Sequence, residues 1–153
     1  MISFRQATSA DLPLLEDMYK KEVEDHIERA RRFAEELVYR FKTIIAIKDN
    51  DLCGTVTWEP RGGLDDGVVE MIGLGVNEGF RRQGIATRLV DTMIEESSQF
   101  YVDAGYSLRV VLLFMEKQNE IARKFYTKNK FKEITVIPSL YPHDDASIWT
   151  RQI

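Results

Sequence analysis

Apolar and polar positions follow two rhythms along this chain, and the switches between them mark its elements. Ile2 and Phe4 alternate with Ser3 and Arg5, the period of a strand, and Thr8 with Asp11 three residues on forms a capping box opening a helix to about residue 20. Val23, Ile27, Ala30, Ala34, Leu37 and Val38 then recur at helical spacing, while Asp25/Arg29 and Glu28/Arg32 set acid before base on the wet side of a second helix. Two β-rich runs, 43–48 and 52–58, flank the turn formers Asp49-Asn50-Asp51 and read as a hairpin. After a glycine-rich loop at 61–67 comes a long strand at 68–77. Ile85, Leu89, Met93 and Ile94 mark a helix over about 82–100; a strand at 107–115, a helix at 118–128 and a strand at 131–137 follow, then a last strand at 147–153 beyond a loop at 138–145. The order β-α-α-β-β-β-α-β-α-β-β predicts an α/β fold: a mixed central sheet of six to seven strands, helices on both faces, and a parallel crossover within 68–115.

Composition narrows the function. The 153 residues show no linker, repeat or low-complexity break, so 1–153 is expected to be a single domain. With 21 Lys+Arg against 25 Asp+Glu, the net charge of −4 gives no electrostatic reason for nucleic-acid binding and favours a cationic or amine partner. The longest apolar runs, 110–115 and 44–47, fall far short of the roughly 20 residues of a membrane helix, and no signal peptide is visible. A cytoplasmic protein without membrane attachment is the expectation. The single cysteine, Cys53, rules out a disulfide framework and is expected to be core packing. The apolar strand around Trp149 hints at a homodimer.

Three glycine patterns fail on inspection. The glycines at 73, 75 and 79 miss the dinucleotide fingerprint by one residue; 79–84 has P-loop spacing but places Ile85-Ala86 where Lys and Ser/Thr belong; 105–109 lacks the second glycine of a nucleophile elbow. What remains is a strand, a turn with Arg81 and Arg82, and a helix starting near Gly84. Such a turn offers unpaired amides and the positive end of the helix dipole to an anion, and Arg81 or Arg82 adds charge. A plain helix start with solvated arginines is the equally simple alternative.

The wider pattern favours the anion site. Arg81-Arg82-Gln83-Gly84-Ile85-Ala86 matches the Arg/Gln-x-x-Gly-x-Gly/Ala motif of the GCN5-related N-acetyltransferases, the GNAT superfamily, whose element order this chain resembles over nearly its whole length. A second stretch, Asn119-x-x-Ala122-x-x-Phe125-Tyr126-x-Lys128-x-x-Phe131, resembles that superfamily's helix-four signature. The resemblance implies acetyl-CoA as cosubstrate and no metal. Its pyrophosphate is expected on the turn formed by Arg81, Arg82, Gln83, Gly84, Ile85, Ala86 and Thr87. Its pantetheine arm is expected along the long strand beside Leu74 and Val76, touching Asn119. Tyr126 then corresponds to the tyrosine whose hydroxyl protonates the departing thiolate; on spacing alone it reads as an aromatic packed beside Phe125. Where the family usually has glycine before the aromatic at Phe131, this chain has Lys130, so Asn129 is expected to take the left-handed position.

Acetyl transfer to an amine needs a proton acceptor. Glu70 is the candidate base: on its strand it shares a face with Val68, Ile72, Leu74 and Val76, an apolar setting that raises a carboxyl pKa. Its spacing before Arg81 resembles that of the glutamate base in histone-type members; ordered water is the alternative. His26, on the charged face of the second helix, and His143, in a polar loop, read as surface histidines. The 138–145 loop, with Tyr141, Asp144 and Asp145, is where the resemblance implies that an amine acceptor enters. The implied activity is direct transfer of acetyl to a primary amine of a small molecule or peptide in a ternary complex. A non-catalytic acyl-CoA-binding sensor or scaffold is the competing reading.

Overall fold

The computed structural model describes every residue, Met1–Ile153. A two-residue turn organises the first half: β2 (Lys42–Lys48) and β3 (Asp51–Arg61) run antiparallel from the pair Lys48↔Asp51, with Asp49 and Asn50 both left-handed at φ 51° and 66°. That is a type I′ turn, whose twist matches the strands and which Asp and Asn accept more readily than most residues. β1 (Ser3–Gln6) adds antiparallel to β2, from Ser3↔Ile47 to Gln6↔Ile44. The β2–β3 register shifts between Ala46↔Gly54 and Ile47↔Leu52, which makes Cys53 the extra residue of a β-bulge. Cys53 is fully buried there, and burial pushes its thiol pKa up, so it behaves as packing.

The bulge also assigns faces. Ile45 and Leu52 join Ala7, Leu15, Ala34 and Leu37 in a core cluster, with α1 (Leu12–Glu22) and α2 (Ile27–Glu35) lying on that face. Gly54 faces the other way, toward α3 (Ile85–Asp103): a Cβ there would stand 2.6 Å from Gly75 O and 3.3 Å from Leu89 Cδ1, so the approach requires glycine. The expected capping box forms: Asp11 Oδ2 accepts Thr8 N at 2.7 Å while Arg5 grips both carboxylate oxygens at 2.8 Å. The second helix is not the single run its periodicity suggests. α2 begins at Ile27, capped by His26, whose Nδ1 accepts Arg29 N at 3.1 Å, and passes into a π-helical turn, Glu36–Arg40.

The remaining elements are β4 (Val68–Val76), α3, β5 (Val110–Glu116), α4 (Glu120–Lys128), β6 (Lys132–Tyr141) and β7 (Asp144–Gln152). Seven strands form one mixed sheet in the order β1-β2-β3-β4-β5-β7-β6, with β4 and β5 parallel from Val68↔Val110 to Glu70↔Leu112. The chain forms two compact units, Met1–Glu59 with Gly73–Glu96 and Pro60–Ile72 with Ser97–Ile153; β3, β4 and α3 each contribute residues to both. In the second unit Val69, Val111, Leu113, Tyr101, Phe131 and Trp149 are buried, and the Tyr101 hydroxyl donates to Val68 O at 2.9 Å.

Two boundaries differ from the sequence expectation for physical reasons. The helix expected from about residue 82 starts at Ile85, because Arg82 and Gly84 are left-handed, at φ 65° and 75°. The expected 138–145 loop is almost entirely strand: β6 continues through Pro138 to Tyr141, bulging opposite β7 between Ile137↔Ala146 and Tyr141↔Asp144, with Ser139 at φ 55°. β6 is the last strand of the sheet, where a proline lacking an N–H is tolerated. Trp149 is only 4% exposed, so it offers no apolar surface to a second copy. No helix is long and apolar enough to cross a membrane.

Candidate functional site

The turn that opens α3 is built from backbone. At the end of β4, Asn77 is fixed to β3 twice, through its N–H to Cys53 O and its side-chain amide to Leu52 O, both at 2.7 Å. A short turn, Glu78–Phe80, then leads through exposed Arg81, Arg82, Gln83 and Gly84 into a helix anchored by Ile85, which is 2% exposed. Arg88 N, donating to Gly84 O at 3.2 Å, is the first amide bonded back along the helix. The amides of Ile85, Ala86 and Thr87 thus have no helical carbonyl and lie at the positive end of the dipole. Nothing stands within 4 Å of where a Gly84 Cβ would be, so the backbone is open to a ligand.

The two arginines differ. Arg81 Nε donates to Val76 O at 3.1 Å, tying that side chain to the end of β4, whereas Arg82 has no hydrogen bond or ion pair and is free to reach an anion. Upstream, Gly73 and Gly75 also have nothing within 4 Å of a Cβ position, while Leu74 and Val76 are half-buried. Open amides, a helix dipole and a free guanidinium fit a diphosphate, and the bare strand before them fits an extended amide-bearing arm.

In the second unit, Asn119 and Tyr126 both sit on α4. Asn119 is its N-cap, with Oδ1 accepting Ala122 N at 3.0 Å, so the side chain expected to touch a pantetheine also holds the helix start. Tyr126 is half-buried, with its ring against Phe125, Phe131 and Trp149 at centroid distances of 5.3, 5.4 and 6.4 Å. Its hydroxyl has no hydrogen-bond partner, and burial pushes its pKa up to about 12. The helix ends differently from the expectation: Lys130, not Asn129, is left-handed, at φ 70°. Asn129 is buried instead, its amide donating to Phe125 O at 2.9 Å, while Phe131 N reaches back to Tyr126 O at 2.9 Å in a Schellman closure. Lys130 accepts a strained backbone so that Asn129 can cap the helix from inside.

Glu70 does not stand on the buried face of β4. Val69 and Met71, on the other face of β4, are the buried residues, while Glu70 shares its side with half-buried Val68 and exposed Ile72. Arg61 Nε donates to Glu70 Oε1 at 2.7 Å. The residue grouped with it is Tyr141, half-buried at the end of β6. Burial raises the Tyr141 pKa, and the charges of Glu116 and Glu70 raise it further. Sequence reasoning had only the aromatic and acidic content of this segment as a signal for Tyr141. Asp144 and Asp145 are engaged locally, accepting Gln118 N at 2.9 Å and Ser139 N at 2.8 Å, and His143 Nε2 lies 3.0 Å from Glu116 Oε1. His143 is thus the exposed surface side chain expected, with Glu116 as its partner, while His26 also caps α2. No three His, Cys, Asp or Glu side chains stand in a metal-holding arrangement.

The family model described as acetyltransferase (GNAT) matches residues 10–131, and the chain belongs to that family. Its fold is similar to that of the ribosomal-protein-S18-alanine N-acetyltransferase of Escherichia coli, with a TM-score of 0.78 at 19% identity over 100% of this chain and 94% of that one. It is likewise similar to Arabidopsis thaliana NAA60 in complex with acetyl-CoA, with a TM-score of 0.76 at 22% identity over 100% and 99% of the two chains. The same plant protein in complex with a bisubstrate analogue gives a TM-score of 0.74 at 22% identity, over 100% and 98% of the chains. At these identities the likeness is one of fold. No curated protein matches the sequence.

Proposed function

We propose that residues 1–153 act as one acetyl-CoA-dependent N-acetyltransferase domain that moves acetyl directly to a primary amine of a small molecule or peptide. The observation that carries this reading is the opening turn of α3: left-handed Gly84 leaves the amides of Ile85, Ala86 and Thr87 unpaired under an unpartnered Arg82, inside a family-wide match. Arg82, Gln83 and those amides hold the diphosphate, Arg81 braces the end of β4, and the backbone at Leu74 and Val76 lines the pantetheine arm. Acetyl-CoA, when bound, supplies the thioester.

The amine nitrogen forms its bond to the acetyl carbon as the carbon–sulfur bond breaks, and two protons must be managed. Glu70, or a water it holds, accepts the proton from the amine. Tyr126 gives its phenolic proton to the leaving sulfur; a pKa near 12 keeps that proton in place at neutral pH until the thiolate appears. A panel of polyamines, amino acids, peptides and aminoglycosides, assayed for thiol release from acetyl-CoA, tests the reading. Release with at least one amine supports it. Thermal stabilisation by acetyl-CoA with no release across the panel would favour a sensor or scaffold.

A further inference from the structure

One of the rings around Tyr126, that of Trp149, is held by a charged circuit that acetyl transfer itself does not use. Glu133 on β6 accepts both arms of the Arg123 guanidinium, at 2.8 and 3.2 Å, and also accepts the Ser147 hydroxyl. Ser147 Oγ in turn accepts Trp149 Nε1 at 2.8 Å, and the Arg123 guanidinium lies 5.3 Å over the Trp149 ring. Ser147 is fully buried and Trp149 nearly so. Arg123 and Ser147 hold the Glu133 carboxyl down to about 2, so the circuit stays charged at any working pH. A β-bulge aims it: Glu133 pairs with Trp149 but Thr135 with Ile148, which leaves Ile134 as the extra residue, 60% exposed, and puts Glu133 on the Trp149 face.

The wall matters because Tyr126 has nothing else to orient it. Its hydroxyl has no hydrogen bond, and ring packing alone sets where the oxygen points; Arg123, three residues earlier on α4, places the circuit one turn away. We propose that Glu133 is a positioning residue for Tyr126: by locking Arg123 and Trp149 it fixes the wall against which the Tyr126 ring stands, and so sets the rate of proton delivery without touching substrate. This rests on the reading of Tyr126 as the acid.

The test is a double-mutant cycle assayed with acetyl-CoA and the best amine of the panel. Glu133→Gln lowers kcat about tenfold with KM for acetyl-CoA unchanged, and adds nothing in a Tyr126→Phe background. Arg123→Lys, which keeps the charge but loses the two-armed grip, gives the same pattern. A readout independent of turnover is the tyrosine 13Cζ signal missing from Tyr126→Phe. At about pH 10.5 it remains that of a phenol in the wild type and shifts toward phenolate in Glu133→Gln as water reaches the ring. Equal fold losses in both backgrounds, or wild-type kcat with an unshifted signal in Glu133→Gln, overturns the positioning role and leaves the acid reading standing. Full turnover by Tyr126→Phe overturns both.

Discussion

Arg61 Nε lies 2.7 Å from Glu70 Oε1, so the carboxylate proposed to take the amine proton is already paired with a cation from the end of β3. The Glu70 side chain is 17% exposed and that of Arg61 44% exposed, a partly wet arrangement that leaves room for water in the proton path. Glu70→Gln is therefore expected to lower kcat at neutral pH and erase the acidic limb of the pH profile. Arg61→Ala is expected to change kcat only while Glu70 is present. An unchanged profile in Glu70→Gln would assign the proton to water or another base.

Removing the Tyr126 hydroxyl separates chemistry from binding. Tyr126→Phe keeps the ring against Phe131 and Trp149, and kcat is expected to fall about 10²-fold or more, the usual contribution of a general acid. Acetyl-CoA affinity, measured by titration calorimetry, is expected to stay put. Equal turnover would remove Tyr126 as the acid.

The opening turn of α3 gives a prediction with an internal control. Gly84 is at φ 75° with open space ahead of it; Gly79 also faces open space but has no positive φ. Gly84→Ala is expected to cost about 1–2 kcal/mol of stability through backbone strain and to weaken acetyl-CoA binding by intruding on the turn. Gly79→Ala is expected to leave affinity near wild type. Arg82→Ala, removing a guanidinium without a protein partner, is expected to weaken acetyl-CoA binding in a salt-dependent way with no loss of melting temperature. Comparable losses in Gly79→Ala would contradict the placement of the ligand on the 84–87 backbone.

Asp11 supplies a pH prediction for the fold. Its side chain is 4% exposed, and the Arg5 guanidinium, aided by Thr8, holds its pKa below the ordinary carboxylate value. The native pKa is lower than the unfolded one, so the unfolded chain binds more protons in acid and stability rises with pH. The contribution is complete above the ordinary Asp range and is lost as pH falls through the native value. Asp11→Asn is expected to flatten that part of the melting-temperature profile and to destabilise at neutral pH by about 1 kcal/mol, because the Arg5 left behind is half exposed to water. A mutant profile parallel to wild type would show that Asp11 does not drive the acid dependence.

Much of this was legible in the sequence because local rules and the fold agree. The element order, the Asp49-Asn50 turn, the capping box at Thr8 and Asp11, and the start of α3 just after Gly84 all follow from neighbours in sequence. What was not legible depends on partners distant in the chain. Glu70 reads as an acid on an apolar face until Arg61 is seen beside it, and Pro138 reads as the end of a strand until β6 is known to lie at the sheet edge. The helix end differs from the sequence expectation because the Asn129 side chain caps the helix from inside on Phe125 O, and Lys130 takes the left-handed position. Bulges at Cys53 and Ile134 left no periodic trace, and with the second the Glu133 circuit stayed hidden.

The most direct measurement is the product balance of the purified chain given acetyl-CoA and the amine panel: free thiol by absorbance and acetylated amine by mass spectrometry in the same tube. The account predicts equal amounts of thiol and N-acetylated product with at least one amine, lost together in Tyr126→Phe. Thiol released without acetylated amine, or no release beside clear acetyl-CoA binding, would contradict it.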